Sequence, residues 1–187
     1  MVTQKGDNTF VVGIHGNFDD AQTGVKKIFS DKELAKEMDQ KGFQFSSANS
    51  INIGRLVPQI VYYVYAYAQL LAEGKISAGE KINVVVPTGN FGNILAAFYA
   101  KNMGLPIDKL ICASNDNKVL YDFFSTGTYD RNRDFVLTTS PSMDILISSN
   151  LERLIYRIAG NDADKNAALM AALSGKGKYE ITEDMKE

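Results

Sequence analysis

Cysteine, histidine and long apolar runs are all scarce in this chain, and each scarcity closes off a class of protein. The one cysteine, Cys112, cannot form an internal disulfide, which suits a reducing, cytoplasmic compartment. One cysteine and one histidine leave too few ligands for zinc, and no metal site is expected. The richest apolar stretch, Ile60–Ala72, carries four tyrosines and a glutamine and is too short to cross a bilayer. No secretory leader is expected ahead of Gly6-Asp7-Asn8. Net charge is −2 with the signs interspersed, so neither nucleic acid nor an anionic membrane is an expected partner. Two phosphate loops are missing as well. No G-x-x-x-x-G-K-S/T occurs, and no G-x-G-x-x-G follows a strand.

What remains is a soluble-type composition, with 187 residues, 45% hydrophobic and 22% charged. A chain of this size buries roughly 70% of its unfolded surface, enough for a core. Its most informative stretch is N-V-V-V-P-T-G-N-F-G-N, Asn83 to Asn93. A short strand stops at Pro87, passes through Thr88-Gly89-Asn90-Phe91-Gly92-Asn93, and opens into the apolar helical run Ile94–Ala100. Backbone N–H groups at a helix N-terminus are unpaired, and the helix dipole favours an anion there. Glycine at 89 and 92 lets the main chain approach an oxyanion with no Cβ in the way. Phosphate is the expected guest. A plain strand-to-helix turn that uses glycine for its geometry is the alternative.

The rest of the chain alternates strand and helix. Strands are expected at Phe10–His15, Phe43–Ser46, 83–86 and Lys109–Ala113. Helices are expected from Phe18 to about Ser30, Lys32–Gln40, about Ile53 to Glu73, 91–103, Val119–Ser125, Ser149 to about Ile158, and Ala163–Leu173. A ragged charged end follows. The alternation argues for an α/β fold: a mainly parallel, three-layer sheet with helices on both faces.

Several blocks together resemble one family. S-S-A-N-S-I-N-I-G-R-L-V-P-Q-I-V-Y-Y (Ser46–Tyr63), P-T-G-N-F-G-N (Pro87–Asn93), S-P-S-M-D-I with S-S-N-L-E-R (Ser140–Arg153), and G-N-F-D-D-A-Q (Gly16–Gln22) are similar to threonine synthase, in the family's order. That resemblance implies a pyridoxal-phosphate (PLP) lyase of the tryptophan synthase β-like fold type. Such an enzyme turns O-phosphohomoserine and water into threonine and phosphate by γ-elimination and β-addition. It further implies that Gly89, Asn90, Phe91, Gly92 and Asn93 hold the 5′-phosphate of PLP, largely through backbone N–H groups. Asn93 could add its side-chain amide. Thr88 would add a hydroxyl or serve only as a turn residue. Asn49, Ser50 and Asn52 would contribute to the substrate pocket. Arg55 would fork onto a phosphate or carboxylate, or else sit on the surface. His15 is expected to be a satisfied structural histidine, Asp19 and Asp20 first-turn helix acids, and Tyr62, Tyr63, Tyr65 and Tyr67 mostly packing residues. Residues 1–44 would belong to the smaller, N-terminal domain and 45–187 to the larger, PLP-phosphate-binding one.

One feature of the family is not met. Its Schiff-base lysine follows an aromatic residue ahead of G-N-F-D-D-A-Q, yet none of the fifteen lysines here follows Phe or Tyr. No catalytic residue is therefore assigned. The chain is expected to be an internal portion of the enzyme, with Met1 an internal methionine, inactive until joined to the missing N- and C-terminal portions. A non-catalytic phosphate-binding or structural module is the alternative.

Overall fold

The computed structural model describes residues 6–186, so the reading of Met1 lies outside the described residues. The chain divides into two compact units, with the boundary between Phe45 and Ser46.

In the first unit, helix α1 (Phe18–Ser30) starts where Asn17 and Asp20 close a capping box. The Asp20 amide donates to Asn17 Oδ1 at 3.0 Å, and the Asn17 amide donates to Asp20 Oδ2 at 2.9 Å. Asp31 then caps α2 (Lys32–Gln40), accepting from the Glu33 and Leu34 amides. Phe29 stacks on Phe45 with ring centroids 5.6 Å apart. The strands expected at Phe10–His15 and Phe43–Ser46 are not formed. Phe10 and Val12 are 87% and 83% exposed. An apolar run has β propensity, but a strand exists only where another strand takes its hydrogen bonds, and none of the described residues does so here. His15 is exposed rather than the satisfied structural histidine expected.

The second unit carries the expected long helix in three parts: α3 (Ile53–Leu56), a 3₁₀ turn (Val57–Gln59) and α4 (Ile60–Ala72). Pro58 supplies no amide proton, so the middle turn tightens instead of breaking. Strand β1 (Ile82–Pro87) pairs in parallel with β2 (Ile107–Ala113), joined through α5 (Gly92–Asn102). Helix α5 is buried nearly all round, and its alanines 96, 97 and 100 let neighbouring backbone approach closely. Helix α6 (Val119–Thr126) leads to β3 (Thr128–Asp130). A 3₁₀ turn (Pro141–Met143), α7 (Leu151–Ile158), α8 (Ala163–Lys176) and β4 (Lys178–Glu180) follow.

β4 pairs antiparallel with β3, where a ragged end was expected. Tyr179, Ile181 and Met185 are buried there. Tyr179 stacks flat on Tyr129 at 5.4 Å, and Phe123 meets both rings edge-on. This aromatic cluster is a long-range assembly that no local pattern announces. The fold is α/β, yet the parallel sheet within the described residues has only two strands. One face of it carries the paired residues Val85 and Ile111, which are 60% and 42% exposed. No described helix is long and apolar enough to cross a membrane.

Candidate functional site

β1 ends in the parallel ladder, with the Thr88 amide still donating to the Ala113 carbonyl at 2.9 Å. Thr88 is buried, and its hydroxyl donates back to the Val86 carbonyl at 2.7 Å. It also lies within hydrogen-bonding reach of Cys112, whose thiol burial pushes up. Thr88 therefore closes the strand and has its donors committed.

Beyond it the chain changes character. Phe91 takes left-handed backbone angles (φ 63°, ψ 0°) and stands as the N-cap of α5. Among the described residues, the N–H groups of Gly89, Asn90, Phe91, Gly92, Asn93 and Ile94 make no hydrogen bond to protein. Successive amides around a left-handed residue form a concavity for an anion, and the helix dipole adds positive potential. The carbonyls of the same loop are all but tied down. Ser148 Oγ donates to Gly89 O at 2.8 Å, and Asn150 donates to Asn90 O from its backbone at 3.1 Å and its side chain at 2.9 Å. The loop thus has its acceptors anchored and its donors free, which is the arrangement an anion cup needs.

Space around the loop is equally constrained. A Cβ on Gly92 would collide with Ser50 Oγ and lie 2.6 Å from Ser50 Cβ. A Cβ on Gly89 would lie 3.0 Å from the Ser142 carbonyl oxygen. Phe91 is buried and packs on Phe124 at 5.9 Å, holding the strained turn against the core.

Side chains around the cup divide by what they touch. Asn90 Oδ1 faces Ser149 Oγ at 3.3 Å. The Asn93 amide, which could have faced an anion, donates to Gln59 Oε1 at 3.0 Å, while Asn93 Oδ1 accepts from the Tyr63 hydroxyl at 2.5 Å. Burial pushes Tyr63 up to about 12, so this phenol remains a donor at neutral pH. Tyr67 is buried and bonds the Glu80 carbonyl, whereas Tyr62 and Tyr65 are exposed.

In the preceding block, Asn49 Oδ1 accepts from the Ser47 hydroxyl and the Ile51 amide, forming a turn. Asn52 caps α3 by accepting from the Gly54 amide at 2.9 Å. Ser50 is the member placed against the cup, beside Gly92. Arg55 is exposed, and among the described residues its guanidinium makes no hydrogen bond or ion pair. Sequence reasoning does not single out Ser148, Ser149, Asn150 and Arg153 as site residues. Their only signal was membership of the S-S-N-L-E-R block.

A further polar group sits near the strand ends. Asp144 is buried and accepts from the Thr138 amide and hydroxyl, Asn115 and Asn117. The Thr138 amide first, with the other donors, holds its carboxyl below the usual carboxylate range against the opposing effect of burial. It fixes the turn whose Ser142 carbonyl backs Gly89. No cluster of three or more metal-ligating side chains occurs among the described residues.

No family model matches the chain. It is 47% identical over its full length to threonine synthase-like 1 of Macaca fascicularis, covering 25% of that protein. It is 42% identical to the threonine synthase of Pseudomonas aeruginosa over 97% of the chain and 36% of the relative. The structure of PLP-bound threonine synthase from Brucella melitensis superposes with a TM-score of 0.76 at 43% identity, over 91% of this chain and 34% of that one. The chain belongs to the threonine synthase family. It spans about a quarter of the length of the first curated relatives it matches. Agreement in sequence and in fold extends over nearly the whole chain, so the likeness does not rest on the glycine turn alone.

Proposed function

We propose that this chain supplies the phosphate cup and part of the substrate pocket of a PLP-dependent threonine synthase, a carbon–oxygen lyase acting on O-phosphohomoserine and water. The observation that carries the reading is the run of unpaired N–H groups from Gly89 to Ile94 above anchored carbonyls. A phosphate dianion fits that chemistry, since each hydrogen bond to a charged group contributes about 1.5–3 kcal/mol and several converge. The Cβ-free space at Gly92 is a cradle that any side chain would fill. PLP, once bound, supplies an electron sink for bond breaking next to the amino-bearing carbon.

This chain's own residues do the positioning. Gly89, Asn90, Phe91, Gly92 and Asn93 hold the cofactor phosphate by main-chain donors. Thr88 and Phe91 fix the loop's entry and its left-handed turn. Ser50, with Asn49 and Asn52 shaping its turn, faces the substrate side, and the free guanidinium of Arg55 is the candidate for an anionic substrate group. The aldehyde-binding lysine and the remaining walls come from portions of the enzyme outside this chain. The exposed Val85–Ile111 face supports a larger, three-layer sheet in the whole enzyme, because parallel strands are covered on both faces. Residues 1–44 fit the smaller domain and 45–187 the larger. A single cysteine suits a cytoplasmic enzyme.

Complementation tests the reading. The chain is mixed with a polypeptide carrying the rest of a threonine synthase, and phosphate release from O-phosphohomoserine is measured. Release is expected with the native chain and not with Gly92→Ala. Equal release with and without this chain would reject the proposal.

A further inference from the structure

We infer that Asn150 is a positioning residue that locks the Ser50–Asn52 segment to the anion cup, so that anion binding at 89–94 is linked to the conformation of 50–52. The inference rests on the phosphate-cup reading and goes beyond it, because it assigns a role to a residue that touches no ligand.

Asn150 is 0% exposed, with both side-chain amide protons donated and Oδ1 accepting. Nδ2 donates one proton to Ser50 Oγ at 3.0 Å, across a hundred residues of sequence, and the other to Asn90 O at 2.9 Å. Oδ1 accepts from the Arg153 guanidinium. Arg153 in turn donates to Ser50 O at 3.2 Å and to Ile51 O at 2.8 Å. Among the described residues Arg153 has no carboxylate partner, so a half-buried positive charge stands in the network behind the cup.

Two acceptors on separate segments and one donor converge on a single small side chain. Aspartate offers acceptors only, leucine offers nothing, and glutamine is one methylene too long for a filled site. The Ser50 hydroxyl proton is not spent within the described residues, so it is left to donate beside Gly92. An anion that draws the Gly89–Ile94 amides together pulls on Asn90 O. Through Asn150 it also pulls on Ser50, and reciprocity of linkage makes the reverse hold.

The test uses the full chain, nitrogen-15 labelled and titrated with inorganic phosphate. In the native chain, amide shifts are expected at Gly89–Ile94 and, saturating together with them, at Ser50–Asn52. Asn150→Ala is expected to raise the phosphate dissociation constant about tenfold or more and to silence Ser50–Asn52 while residual shifts stay at the cup. Ser50→Ala removes the hydroxyl arm and leaves Arg153 bonded to Ser50 O and Ile51 O, so the Ile51 and Asn52 shifts are expected to shrink without vanishing. Met185→Ala, which perturbs the core away from the cup, should keep both the affinity and the linked shifts, a pattern that general destabilisation by Asn150→Ala would not produce.

The inference is overturned if Asn150→Ala binds phosphate as the native chain does with Ser50–Asn52 still responding. It also falls, with the cup reading intact, if the native chain shifts only at 89–94. No phosphate-dependent shift at 89–94 in the native chain removes the cup reading and this inference with it.

Discussion

At Gly92 a methyl group has nowhere to go, because it would collide with Ser50 at the mouth of α5. Gly92→Ala is therefore expected to push the 50–52 segment away and abolish PLP and phosphate binding, read by absorbance and calorimetric titration. Phe91 poses a sharper contest. Its left-handed backbone costs about 1 kcal/mol, which glycine would relieve. Its buried ring, packed on Phe124, is worth about 3–5 kcal/mol on truncation. Burial wins, so Phe91→Gly should lower stability by roughly 2–4 kcal/mol in urea unfolding.

Asp144 and Asp122 bring pH into the residue scale. Donors from Thr138 hold Asp144 low, and the Arg133 guanidinium, 2.7 Å away, does so for Asp122. A carboxylate whose folded value is depressed contributes stability fully present above the unfolded value, near 3.8, and lost as pH falls through the folded one. The melting temperature should thus fall steeply below about pH 4. Asp144→Asn should flatten that slope and lower the melting temperature at pH 7, since the new amide points donors at donors. An unchanged acid slope in that variant would show that Asp144 does not titrate as described.

Elements separate into those made locally and those made by contact. β1 and α5 fall at Ile82–Pro87 and Gly92–Asn102, against expectations of 83–86 and 91–103. Proline at the strand end and glycines in the turn set those limits within a few residues of chain. Capping does the same for α1 and α2. Asn17→Ala removes one half of a capping box, an effect of about 1 kcal/mol. It should speed amide exchange in the first turn of α1 and leave α5 unchanged. By contrast, Phe10–His15 has a strand's composition and no ladder partner, and β3–β4 forms from two triplets some fifty residues apart that show no pattern of their own. Asn93 illustrates the same limit inside the site. Its side chain is pulled away by Gln59 and Tyr63, residues 34 and 30 positions earlier.

For the molecule as a whole, a two-stranded parallel sheet with Val85 and Ile111 on an open face is an unfinished layer. The isolated chain is expected to bind the dye ANS and to self-associate with rising concentration. Val85→Lys should reduce both without lowering the melting temperature, because the side chain it replaces is 60% exposed. A large loss of stability in that variant would mean the face is packed in solution.

The strand–cup–helix unit, the helix caps and the family membership are all legible in the order of residues. All three depend on residues close together in the chain or on blocks in a constant order. Packing of distant segments sets what makes the cup usable: the Ser148–Asn150 turn behind its carbonyls, Ser50 beside Gly92, and the Arg153 charge behind them. Those partners lie 42 to 103 residues apart, and contact over such separations is set by the packing of β1, α5 and α7 rather than by any local preference.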